Sequence, residues 1–171
     1  MSIVGMTTFS ICPGRVAGFR AEFVEARPGR PGAGGADFLV EIGEVNTLIC
    51  ISDLAEHTAL PRHAAWAGEL HARQRTILRS TTLDLYELDP RGLPSAALHA
   101  PQLVAVLMED LANSAAEDTG SIKALTLMPM TGALGRRLRL MPFATADAAL
   151  SMAIAHRKAG EHSRNALLIP L

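Results

Sequence analysis

Ser95 is the only serine in DPRGLPSAALHAP, a stretch bent by Pro90, Gly92, Pro94 and Pro101. Proline fixes φ and removes a backbone donor, so the chain cannot run straight from the apolar alternation before this stretch into the apolar stripe after it. Ser95 is thereby held on an exposed loop between the two. His99 and Asp89 flank Ser95, so a nucleophile–base–acid set can also be written from Ser95, His99 and Asp89. No G-x-S-x-G elbow supports that set, and a turn serine is the simpler account. No catalytic residue is assigned, and Arg91, Gly92, Ser95 and His99 stand as a loop for binding a partner.

Other chemistry-bearing residues read more blandly. His63 and His71 are too far apart on one helix to share a metal, at about 12 Å for ~1.5 Å per residue. With His57 they lack the i, i+4 spacing of a zinc helix, so surface or half-buried histidines are expected, with no metal and no cofactor. Cys50, inside an apolar run, reads as a small buried hydrophobe. Arg136, Arg137 and Arg139 open a short strand, the usual dress of a solvated sheet edge. Glu109, Asp110, Glu117 and Asp118 fit the polar face of a helix. The glycines of RPGRPGAGG, residues 27–35, are followed by neither Lys-Ser nor Lys-Thr, and so describe a plain loop.

The chain of 171 residues can build one domain with a core, and its 49% hydrophobic and 19% charged residues describe a folded chain. A formal charge of −1 and 4% aromatic residues argue against a nucleic-acid surface. No apolar run reaches the roughly 18–20 residues of a membrane helix. The N-terminus, MSIVGMTTFSICPG, has no basic residue ahead of its apolar part, and only two cysteines occur. A reduced, cytoplasmic protein is the expectation.

The elements that must position these residues follow from periodicity. Thr7–Cys12 and Val16–Val24 read as short strands, with a Pro/Gly break after them. Asp37–Ile42 and Asn46–Ser52 form an antiparallel pair. Trp66, Ala67, Leu70 and Ile77 mark a helix over 61–78, and the alternation of TTLDLYEL marks a strand with Leu83 and Leu85 buried. Val104, Leu107, Met108 and Leu111 mark a helix over 101–117. Strands follow at 122–128 and 137–141. A helix over 146–158 is capped by Thr145 and ended by Gly160, and NALLIPL docks as an edge strand or against a partner. Trp66, Leu85, Leu107 and Leu125 are expected to share a core. No internal repeat is visible. Helices alternating with strands predict an α/β fold: a mixed sheet with covering helices and helix-linked parallel neighbours.

Over roughly residues 37–157 this order resembles a STAS domain, the fold of the SpoIIAA-type anti-sigma factor antagonists. The resemblance is carried by TLICISDLAEHTA, TLDLYELD and RLRLMPFATADAALSMA. It divides the chain into N-terminal strands with a loop, 1–36, and a STAS-like domain, 37–171. It implies a non-enzymatic regulatory module with Ser95 as phosphate acceptor. The implied partner is an anti-sigma-type kinase or another STAS protein, and a homodimer is compatible with it. The rival is a small enzyme or ligand-binding protein on a dimeric α+β barrel, with Trp66, His63, His71 and Tyr86 as pocket residues. That fold wants strand-helix-strand-strand-helix-strand, whereas only one strand is predicted between the first two long helices. A packed core with a protruding 90–100 loop would favour the module; an open apolar pocket with converging polar groups would favour the enzyme.

Overall fold

The computed structural model describes residues 3–32, 35–54, 58–92, 94, 104–111, 124–131, 136–158 and 165–171. The chain begins with β1 (Ile3–Ile11), which ends in a turn closed by Arg15 N–H on the Cys12 carbonyl. Pro13 and Gly14 occupy the turn's two central positions, and Gly14 at φ +75° takes the left-handed place that such a turn requires. Helix α1 (Val16–Ala26) follows, burying Phe19 and Phe23, one helical turn apart. That spacing decides against the strand expected over Val16–Val24, because a strand would put residues four apart on one face together with the exposed Ala21 between them. β2 (Gly35–Ile42) and β3 (Thr47–Asp53) form the expected antiparallel pair. Helix α2 (Ala59–Arg73) buries His63, Trp66, Ala67 and Leu70 along one stripe, and β4 (Leu78–Leu88) returns beside β1.

The second part runs β5 (Val104–Leu111), β6 (Leu125–Pro129), β7 (Arg136–Phe143), α3 (Ala146–Lys158) and β8 (Asn165–Pro170). The helix expected over 101–117 is replaced by β5. Its apolar spacing fits a helix locally, but β7 and β8 pair with it on both sides and satisfy its backbone groups. β7 lies between β5 and β6, so Arg137 and Arg139 do not guard an edge; both are half-buried and alternate with buried Leu138 and Leu140. β8 is likewise interior, paired with β2 and β5. α3 has the expected bounds, and Thr145 Oγ1 accepts a hydrogen bond from the Ala148 N–H at 3.3 Å.

These strands close into a barrel in the order β1-β3-β2-β8-β5-β7-β6-β4. Every pairing is antiparallel, so the parallel neighbours are not found. Within that ring lies a repeat. The first half, β1-α1-β2-β3-α2-β4, is arranged β4-β1-β3-β2. The second has the same arrangement, β8-β5-β7-β6, with α3 in the place of α2. Each half is a split βαβ sheet, and the two join edge to edge through β2–β8 and β4–β6. Full closure leaves no unpaired edge. The boundary expected at residue 36 falls inside β2, and β1 is paired on both sides.

Strand alternation separates an apolar layer inside the barrel from apolar layers outside it, one of them Met141 and Leu167 against Ala149 of α3. Inside the barrel pack Val4, Met6, Phe38, Val40, Ile49, Ile51, Tyr86, Leu125, Leu127, Leu138, Leu140 and Leu168. Outside, between the first half-sheet and α1 and α2, pack Phe9, Phe19, Phe23, Leu48, Trp66 and Leu70 with their neighbours. Phe9 meets Phe19, Phe23 and Trp66 at centroid distances of 5.3, 5.9 and 6.3 Å. Such ring pairs add about 0.5–1.5 kcal/mol each beyond their burial. The expected common core therefore divides: Trp66 lies outside the sheet and Leu125 inside, Leu85 is half-buried, and the Leu107 side chain lies outside the described residues. Tyr86, on β4's expected polar face, points into the barrel. No helix among the described residues is long and apolar enough to cross a membrane.

Candidate functional site

One transverse row of the first half-sheet is polar. Register places Thr7 on β1 opposite Cys50 on β3, and Cys50 opposite Asp37 on β2. All three belong to the face beneath α1 and α2, where the neighbouring positions are Phe9, Leu39 and Leu48. The next row on that face is Gly5, Ser52 and Gly35. The space left by the two glycines beside Ser52 is filled by Leu54 and Arg30. A Cβ on Gly35 would collide with the Ile51 carbonyl and lie 2.8 Å from Arg30 Nη2; one on Gly5 would lie 2.7 Å from Leu54 Cδ1. Glycine at 35 is what lets the Arg30 guanidinium lie against the sheet.

His63 reaches this row from the inner face of α2. Its Nε2 lies 2.9 Å from Thr7 Oγ1, and its Nδ1 lies 3.4 Å from the Pro31 carbonyl oxygen. A carbonyl only accepts, so Nδ1 carries the proton and Nε2 is left to accept from the Thr7 hydroxyl. Both side chains are fully buried. Burial holds the His63 pKa below its ordinary value; the Pro31 contact works the other way, and the Arg30 charge adds to the lowering. His63 is thus a neutral imidazole of fixed tautomer, its ring 5.3 Å from that of Trp66. Trp66 is fixed in turn by its Nε1–H donating to the Ala26 carbonyl at 3.1 Å.

Arg30 occupies the other end of the row. Its Nη1 donates to Asp37 Oδ1 and to Cys50 Sγ, the latter at 2.8 Å. Arg27 Nε stands 2.9 Å from Asp37 Oδ2, off the line of a hydrogen bond, so that contact is ionic. The Asp37 side chain is 6% exposed, that of Arg30 10% and that of Arg27 37%, so the cluster meets solvent at Arg27. Burial opposes the Arg30 charge, but the Cys50 and Asp37 contacts outweigh it and hold its pKa above the usual value. Burial pushes the Cys50 thiol up to about 12, against the pull of Arg30, so Cys50 is a neutral thiol near pH 7. Ser52 Oγ lies 3.6 Å from its sulfur.

Of the pocket residues expected for a barrel enzyme, His63 and Trp66 meet here. His71 binds Thr81 Oγ1 at 2.8 Å at the far end of α2, and Tyr86 lies on the other side of the sheet. His63, expected at the surface or half-buried, is fully buried. Cys50 is buried as expected. Ser95, His99 and His57 lie outside the described residues. Arg91 is exposed and chelates Asp89 through Nε and Nη2, while Gly92 packs against the Ala124 carbonyl, where a Cβ would lie at 2.7 Å. Arg91 holds the Asp89 carboxyl down to about 2. Among the described residues no group of His, Cys, Asp and Glu could hold a metal ion. Thr7, Arg30, Asp37 and Ser52 were not singled out by sequence. Arg30 sits in the Pro/Gly loop, and the row forms only through register across three strands.

The chain's fold is shared by solved structures of distant sequence. An anthrone oxidase-like protein superposes with a TM-score of 0.60 at 11% identity over 99% of this chain and 91% of that one. A presumed monooxygenase of Lactobacillus acidophilus gives 0.57 at 9% identity, with 99% and 93% covered. A presumed chlorite dismutase gives 0.61 at 10% identity, with 100% and 96% covered. No family model and no curated protein sequence matches the chain. These neighbours and the closed antiparallel ring overturn the STAS resemblance, and with it the anti-sigma antagonist function and the phosphorylation switch drawn from it. The fold class is α+β, a barrel of the kind held as the rival.

Proposed function

We propose that the chain is a small barrel enzyme that oxidises an organic compound with molecular oxygen, beginning with proton transfer at Thr7 and His63. The observation that carries this is a neutral, fully buried imidazole held between a threonine hydroxyl and a backbone carbonyl. That is the geometry of a base with its orienting group. The Pro31 carbonyl keeps the proton on Nδ1, so Nε2 can accept one. A substrate proton passes to Thr7 Oγ1 as the Thr7 hydroxyl proton passes to His63 Nε2. The Pro31 carbonyl favours the imidazolium and the Arg30 charge opposes it, while Arg30 offers positive charge to the deprotonated substrate. The oxidase and monooxygenase descriptions of neighbours of like fold support the choice of oxygen chemistry, which fold alone does not fix.

Anthrone is the probe to use, since one neighbour is described by it. Oxidation of anthrone to anthraquinone puts one oxygen atom into the substrate as a carbonyl. The other leaves as water with the two hydrogens of the oxidised carbon. Anthrone-dependent oxygen uptake by the wild type, with anthraquinone as product and loss of uptake in His63→Ala, is expected. Equal uptake by the two proteins would remove His63 from the reaction, and no uptake by the wild type would remove anthrone-type oxidation.

A further inference from the structure

Charge within the polar row does not balance. Arg27 and Arg30 bring two positive charges, Asp37 brings one negative, His63 is neutral and the Cys50 thiol is protonated at pH 7. Asp37 is spent on both arginines, with Oδ1 facing Arg30 and Oδ2 facing Arg27. The hydrogen bonds of Arg30 run through Nη1, so among the described residues no acceptor is bonded to its Nη2 or Nε. Arg27 Nε is the buried nitrogen of this cluster without a hydrogen bond, a cost that an added anion would offset. The glycine at 35 gives its Nη2 room on the sheet, and Arg27 marks the way in from solvent.

We propose that Arg30, with Arg27, binds the carboxylate of a small organic acid, so that the site takes a carboxylate-bearing ligand. This rests on the cluster being a ligand site. The excess is a single charge, which a monoanion cancels and a phosphate dianion overshoots. The planar fork of a guanidinium matches a carboxylate through two parallel N–H donors.

Calorimetric titration of the intact protein with benzoate tests this, with inorganic phosphate as the second arm. The wild type is expected to bind benzoate at one site and phosphate more weakly. Arg30→Met should weaken benzoate by roughly tenfold or more, the loss of a charge-assisted bidentate contact. Arg30→Lys, which keeps the charge and loses the fork, should fall between the two. Where Arg30→Met does not fold, Arg27→Met at the more exposed position serves, with a smaller weakening. No benzoate heat in the wild type, unchanged affinity in the arginine variants, or phosphate bound as tightly as benzoate would each overturn the proposal. Benzoate binding without oxygen uptake on anthrone would leave this site standing and remove the oxidase assignment. Oxygen uptake without benzoate binding would do the reverse.

Discussion

Thr7 Oγ1 and His63 Nε2 stand 2.9 Å apart across 56 positions of sequence, joining the middle of β1 to the inner face of α2. A buried pair of this kind ties a helix to a sheet as firmly as apolar packing does, because either partner alone would be left unsatisfied. Thr7→Val keeps the shape and removes the hydroxyl. It should cost about 1–3 kcal/mol in urea unfolding, the penalty of an unpaired buried nitrogen. It should also abolish turnover while leaving the far-ultraviolet circular dichroism unchanged. A cost near zero would mean that Nε2 has another partner.

Stability should depend on pH through His63. Its folded pKa lies below the ordinary 6.5 because burial disfavours the cation. The unfolded chain therefore takes up a proton at a pH where the folded chain does not. The contribution is complete above about pH 6.5 and is lost as pH falls from there through the lowered folded value. Urea midpoints measured from about pH 8 down to about pH 5 should decline on the acid side. His63→Gln should flatten that decline, and an unchanged slope in the variant would assign it to other groups.

Asp37 faces two arginines from a nearly sealed position. Asp37→Asn should destabilise by about 3–5 kcal/mol, as expected when one partner of a buried pair is removed. Asp37→Asn combined with Arg30→Met should recover much of that loss. A double-mutant cycle in guanidinium chloride reads the coupling, and strict additivity would show that the two side chains act independently.

Gly35 is required by space. Ala at 35 would drive a methyl group into the Ile51 carbonyl and against the Arg30 guanidinium. The expected cost is about 1–3 kcal/mol, that of overpacking. The cost should shrink when Arg30→Ala is present. Thermal melts of the four proteins measure this, and a neutral Gly35→Ala would show that β2 can shift.

Much of the first half and the last helix was legible in the sequence. β2 and β3 are short β-branched runs separated by turn residues, and α3 carries a threonine cap and an acidic first turn. Two elements misled. The apolar residues of α1 are dense enough to read as a strand, and those of β5 happen to fall at helical spacing. α1 as a helix puts two strands, β2 and β3, between the first two helices, which is the barrel order. The repeat was invisible because the halves share topology and not residues. The polar row was hidden for a related reason. Thr7, Asp37 and Cys50 are unremarkable along the chain and meet only through β1–β3–β2 register, with Arg30 arriving from a loop whose Pro/Gly content drew the eye.

His63 is a neutral imidazole with its proton on Nδ1, accepting from Thr7. Nitrogen-15 NMR of the histidine rings through a pH titration reads it directly, with His63 assigned from the His63→Gln spectrum. The ring is expected to be neutral at pH 7 in the Nδ1–H form, titrating below the ordinary 6.5, with its Nε2 resonance displaced in Thr7→Val. A His63 ring protonated at pH 7, or neutral with its proton on Nε2, would contradict it.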